Sequence, residues 1–412
     1  VLFQPGDRIG NTEAGLIVDK DGKPILETAP DENGNVARGP FHAYAPDANT
    51  LFRVGAMGKE RLYLLTHFEY HSEAPARESG RTPVQMYAQL PMAMNLATLG
   101  QDGKSGALKA TALRNVDMNS VRGLWIPCAA SLTPWNTHLA GEEYEPYAAL
   151  FDDKPLEPMN LYLKTAGRTG RDGGARAYDY GHPVEIAVNP DGTTRAVKRY
   201  AMGRLSTELA EVMPDERTAY MGDDGRDVAL FMFVADKARD LSAGILYAAK
   251  WEQLSGDDGG AANLKWIRLG RATDAEVQAR VDGGIRFADI FDSIDEAAYQ
   301  ADPMLAKEYK PVFVYRGSAA KSDPGAGVKA QTEYLRLRPG MEQAAAFLET
   351  RRYAAYVGAT TEFTKMEGVT HSARDRKLYV AMSYIEKGMI EGQNGERPQD
   401  HIRLKGDPKD LV

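Results

Sequence analysis

The sequence predicts a mainly β fold, made of many short strands joined by tight turns. Three observations carry this. The chain is rich in turn formers, with 40 Gly and 22 Pro, and its 20 Tyr favour strands. Short apolar runs alternate with Asp-Gly, Asn-Gly and Asn-Pro-Asp-Gly turns. Four segments share an apolar–Tyr–apolar centre: Arg61-Leu-Tyr-Leu-Leu, Thr218-Ala-Tyr-Met, Gly244-Ile-Leu-Tyr-Ala and Lys377-Leu-Tyr-Val-Ala. Such an echo suggests the blades of a β-propeller. At 412 residues the chain can form two or three ordinary domains or one large unit of this kind.

The elements follow in order. Asp21-Gly22 and Asn33-Gly34 suit hairpins between short strands such as Gly15-Leu-Ile-Val18. Arg61–Thr66 reads as a strand running into His67, Glu69, His71 and Glu73, which period two would place on one face. That row could face a metal or could be a polar strand end. Residues 84–100 are Met-rich and read as a helix or core loop, with Pro91 breaking any helix. Residues 152–182 read as a mobile surface insertion. Gly167-x-x-Gly170 within it lacks the strand, Lys and helix of a phosphate loop. Strands return at 183–188, 218–221, 228–234 and 244–251. Helical insertions are expected across 272–356. Thr273 and Glu276 form a capping box, residues 287–298 read as helix, and 340–356 carry the strongest helix formers. Lys365 and Glu367 lie in a short loop before the strand at 377, and the stretch 386–412 is polar with few core residues.

Charge and cysteine content narrow the function. A net charge of −8 argues against a nucleic-acid partner, which needs a basic surface, and is compatible with cation binding. No run of 18 apolar residues is present, so no transmembrane helix is expected. A single cysteine excludes an intramolecular disulfide framework. The stretch Cys128–Glu145 combines that cysteine with Glu142, Glu143 and Glu145. A soft thiolate beside hard carboxylate oxygens suits a mixed metal site; the plainer reading is a buried small residue and a solvated acidic loop. A nucleophilic cysteine would need a partnered histidine, for which His138 is the candidate.

Several motifs together resemble one family. Cys128-Ala-Ala-Ser-Leu-Thr-Pro-Trp-Asn-Thr-His-Leu-Ala-Gly-Glu-Glu is similar to the Cys-Ala-Gly-Gly-x-Thr-Pro-Trp-Gly-Thr-x-Leu-x-Cys-Glu-Glu segment of PhoX-type alkaline phosphatases. Arg61–Tyr70, Gly203-Arg-Leu-Ser-Thr-Glu208 and Phe363-Thr-Lys-Met-Glu367-Gly-Val resemble further landmarks in the same order. The resemblance implies a six-bladed β-propeller over residues 1–412, with insertions near 152–182 and 272–356. It implies iron and calcium in the channel and hydrolysis of phosphate monoesters by a periplasmic or secreted enzyme. By position, Cys128, Glu208 and Glu367 would be metal ligands, with Glu69 and Glu143 beside them. Lys365 and Arg204 would neutralise the phosphate. The family's last blades have no counterpart before Val412, so a propeller open at that end is expected.

The chain also departs from the pattern. His67 stands for Asn, Phe68 and Thr207 stand for His, and Lys365 stands for Arg, a point charge in place of a bidentate fork. These changes motivate a second reading, an extracytoplasmic propeller that keeps metals for structure or partner binding without phosphatase activity. A third is ester or lactone hydrolysis at a calcium-bearing centre. The oligomeric state is not legible.

Overall fold

The structure, a computed structural model, describes residues 1–26, 39–69, 88–320, 328, 330–395 and 397–407. The expected features at Asn33-Gly34, His71 and Glu73 lie outside them. The fold is mainly β, as expected. Four of its antiparallel sheets follow one another along the chain. The first joins strands Pro46–Val54, Arg61–Phe68, Met94–Gln101 and Leu108–Asn115. The second joins Pro127–Leu132, His138–Glu142, Val184–Val188 and Thr194–Lys198. The third has five strands, from Thr207–Val212 through Thr218–Asp223 and Phe231–Lys237 to the long pair Asp240–Ser255 and Ala261–Thr273. A later pair joins Met366–Ser372 to Lys377–Met382.

Strand 46–54 packs beside 127–132, which packs beside 207–212, which packs beside 366–372. Each is the first strand of its sheet and lies at its edge. Each also carries a register shift. Asp47 and Ala48 oppose His67 alone, Cys128 and Ala129 oppose Gly141, and Glu208 and Leu209 oppose Gly222. Glu367 is the extra residue between Met366 and Gly368. A β-bulge of this kind bends the strand and re-aims a side chain. Here the bulges fall on Asp47, Cys128, Glu208 and Glu367, four potential ligands on four neighbouring strands.

The sheets pack that closely because two opposing residues lack a side chain. A Cβ on Gly141 would lie 1.9 Å from Thr207 O, and one on Gly222 would lie 2.3 Å from Met366 O. Both are backbone oxygens, so only glycine fits.

Several expectations need correction. The Met-rich stretch is a mostly buried loop over 88–93, as one of its two readings had it, and then the strand 94–101 rather than a helix. Residues 152–182 are not a loose insertion. Leu156, Met159, Tyr162, Tyr178 and Tyr180 from this stretch all enter the main core. Their apolar residues are few but large, which composition alone hid. Residues 287–298 divide into a helical turn, Phe287–Ile290, and the strand Phe291–Ile294, which pairs with Glu333–Leu337. The helix over 340–356 breaks at Glu349 into Glu342–Leu348 and Thr350–Tyr356. Glu349 leaves helical geometry while its carboxylate holds Arg352 at 2.7 Å and the Tyr178 hydroxyl at 2.7 Å. The polar tail also contributes Met389, Ile390, Ile402 and Leu404 to the core. The capping box of Thr273 and Glu276 forms as expected. Among the described residues no helix is long and apolar enough to cross a membrane.

Candidate metal centre

The four bulges and the loops after the second strands converge on one acidic cluster. Cys128 Sγ lies 2.9 Å from Glu208 Oε1. Three overlapping groups have one potential ligand atom per residue within 4.8 Å of one another: Asp47 with Cys128 and Glu208, Glu69 with Cys128 and Glu143, and Glu143 with Glu208 and Asp224. Cys128, Glu143, Glu208 and Asp224 are buried. Asp47 is partly open to solvent, with its side chain 34% exposed. The cluster is thus walled on one side and reachable on the other.

The electrostatics demand a positive partner. Burial, then the carboxylates of Glu143 and Glu208, push the Cys128 thiol far above its ordinary value. Burial also raises Glu143 well above the carboxylate range, with Asp224 and Glu208 adding to it. Glu208 is pushed up to about 8, chiefly by burial and against the Cys128 hydrogen bond. Anions packed this way must take up protons or a cation. The donor set fits a cation. Asp224 Oδ1 is buried with no hydrogen-bond partner among the described residues. Around Cys128 the donors are one sulfur and several carboxylates; around Glu143, Glu208 and Asp224 they are all oxygen.

Lys365 closes the cluster on its remaining side. Its Nζ lies 2.6 Å from Asp224 Oδ2 and 2.6 Å from Glu367 Oε1. Glu367 therefore meets the cluster through Lys365. The Tyr144 hydroxyl donates to Asp224 Oδ2 at 2.5 Å and lies 3.3 Å from Lys365 Nζ. Both Tyr144 (φ 44°) and Lys365 (φ 47°) adopt the left-handed backbone that non-glycine residues rarely take. Strain at two residues that face each other across a site is the pattern expected where the site, not the backbone, sets the conformation.

The three glutamates after the Thr-Pro-Trp turn have different fates. Only Glu143 joins the cluster. Glu142 points the other way, pairs with buried Lys198 at 3.0 Å and accepts from the amides of Trp125 and Gly181. Glu145 pairs with buried Arg351, which also clasps Asp223. Arg351 thereby ties the backbone beside Glu143 to the backbone beside Asp224.

Arg204 does not take the role expected for it. Its guanidinium donates to the backbone carbonyls of Tyr180, Pro146 and Ala177 and lies over the Tyr178 ring. Those bonds consume the fork that a phosphate would need. The cysteine-nucleophile reading also fails. His138 has its two nitrogens on Thr50 and His67, while Sγ faces Glu208. Asp47, Asp224 and Tyr144 went unnoticed in the sequence. Asp224 sits in Gly222-Asp-Asp-Gly225, which reads as an ordinary turn; its place directly after the strand at 218–223 was the available signal.

A search of curated proteins found no match. The family model for alkaline phosphatase PhoX matches residues 88–403, most of the chain and all of the cluster except Asp47 and Glu69. The chain belongs to the PhoX alkaline phosphatase family.

Proposed function

We propose that this protein hydrolyses phosphate monoesters at the cluster of Cys128, Glu143, Glu208 and Asp224, with Glu69 and Asp47 completing the ligands. The observation that carries this is the overlap of the three donor groups, which share Cys128, Glu143 and Glu208 and so suit more than one cation. Iron on the sulfur side and calcium on the oxygen side match the donor chemistry. Such cations, when bound, neutralise phosphoryl oxygens and lower the pKa of water for attack.

The chain's own groups bind and orient. Lys365 offers an ammonium with three donors, held at the cluster by Asp224 and Glu367. A phosphate entering from the Asp47 side must share Lys365 with those carboxylates. Tyr144 holds Asp224 and keeps the Lys365 head in place. Arg351 keeps the two ligand-bearing segments in register from behind.

The side-by-side first strands of the four sheets support a single propeller-like domain with its site at the centre. A six-bladed closure, with helical insertions, is our reading of it from the family resemblance. A periplasmic or secreted location is proposed on the same ground.

The test pairs elemental analysis with a phosphomonoester assay, with and without chelator, on the wild type and Lys365→Ala. Iron plus calcium, chelator-sensitive turnover, and a variant that keeps metal but loses most turnover support the reading. Metal without turnover in the wild type would favour a structural or partner-binding role instead.

A further inference from the structure

Equivalent positions in the first three sheets differ in one respect. The residue opposite each bulge faces the first strand of the next sheet. In the second and third sheets it is Gly141 or Gly222, and a backbone oxygen fills the space. In the first sheet it is His67. Instead of leaving room, His67 reaches across: its Nε2 bonds the backbone oxygen of Cys128 and lies 3.9 Å from Asp47 Oδ2. On its other edge, Nδ1 is 3.2 Å from His138 Nε2, and His138 Nδ1 is 2.7 Å from Thr50 Oγ1. Both rings are fully buried and meet edge to face.

The direction of this chain follows from its end. A backbone carbonyl only accepts, so His67 Nε2 must carry a proton. In the tautomer with its single proton on Nε2, His67 has a bare Nδ1, to which His138 Nε2 donates. The His138 Nδ1 is then bare, and Thr50 must donate its hydroxyl. Each proton position is set by the next, as in the outer shells of metal sites, where such bonds orient the ligands. Cys128 lies in the bulge, where the strand ladder is interrupted.

We infer that His67, oriented by His138 and Thr50, is a positioning residue for the Cys128 ligand: by holding the Cys128 carbonyl it sets the peptide from which Sγ points at Glu208. The inference rests on the metal-site reading above. It is specific to this pair of histidines and does not require either ring to touch metal.

The test uses metal-stripped full-length protein titrated with cobalt(II), whose thiolate charge-transfer band reports sulfur ligation directly. Competition with a chelator gives the affinity. His67→Phe fills the space without a donor and is expected to weaken cobalt binding about 10- to 100-fold and diminish the band. His67→Gln, whose amide reaches where Nε2 was, should recover most of the affinity. His67→Asn, which mimics only the Nδ1 side, should not. A folded His67→Phe that binds within twofold of wild type, with an unchanged band, overturns the inference while the metal site stands. A wild type with no thiolate band sinks the site itself. Should the variants fail to fold, nitrogen-15 imidazole spectra of the wild type decide the relay. A proton on Nε2 of His67 supports it, and a bare Nε2 on His67 overturns it.

Discussion

Gly141→Ala is the sharpest test of how the sheets hold the cluster. The added Cβ would lie 1.9 Å from Thr207 O and 2.7 Å from Glu208 O. Real contacts of this type do not fall below about 3 Å, so strand 207–212 must retreat by about 1 Å. Neither neighbour is a flexible side chain. Relief therefore moves the bulge that carries Glu208, and with it the 2.9 Å contact to Cys128. Overpacking of this kind costs about 1–3 kcal/mol of stability. A shift of about 1 Å at a reacting centre costs on the order of 100-fold in rate. The measurement is kcat/KM on a phosphomonoester, with thermal unfolding alongside. Gly103→Ala, where a Cβ meets nothing within 4 Å, is the control. If Gly141→Ala keeps its stability and activity within twofold of the control, the close-packed account of the site is wrong.

Other perturbations probe the frame. Arg351→Met leaves Asp223 and Glu145 buried without their cation and should cost about 3–5 kcal/mol in denaturant unfolding. Burial pushes Glu362 up to about 7 from 4.5, so the folded state resists its ionisation. Stability should fall as pH rises from about 4.5 to 7, by at most about 3 kcal/mol. Glu362→Gln removes that cost while keeping an acceptor for the His401 amide, so it should raise the melting temperature at pH 8 and leave it nearly unchanged at pH 5. An equal change at both pH values would refute the burial argument. Thr273→Ala removes the side-chain half of the capping box on helix 274–282 and should cost about 1 kcal/mol; no loss would mean the helix is held by packing alone.

The strands and the residue types of the site were legible because both are local. Arg61–Thr66, the capping box at Thr273, and Cys128 with Glu143 and Glu69 announce themselves through alternation, capping chemistry or ligand type, whereas Glu208 is named only by the family resemblance. Tertiary partners overrode local preference elsewhere. The Met-rich segment became a strand because strands 61–68 and 108–115 flank it. The helix formers at 342–356 were interrupted because Glu349 had buried partners to reach. The tyrosine echo marks second strands at Tyr63, Tyr220 and Tyr379, yet Tyr247 falls on the fourth strand of its sheet, so the repeat was real in three places and accidental in one.

What stayed hidden was which carboxylate faces the site, and the reason is geometric. Glu142, Glu143 and Glu145 are chemically alike in sequence, but Glu142 and Glu143 point to opposite sides at the strand end, and past the left-handed backbone of Tyr144 the Glu145 carboxylate meets Arg351. Arg204 looked like a phosphate ligand because its charge is visible in sequence and its three carbonyl partners are not. The bulges are the deeper case. A bulge is a mismatch between two strands, so neither strand alone encodes it. Once Asp47, Cys128, Glu208 and Glu367 are each seen to sit in the bulge of a first strand, one device accounts for three candidate ligands and for the carboxylate that holds Lys365. The same device accounts for Gly141 and Gly222, since a residue opposite a bulge meets the next sheet's backbone. His67 is then the informative exception: in the one sheet where that position carries a side chain, the side chain bonds the backbone of the sulfur ligand.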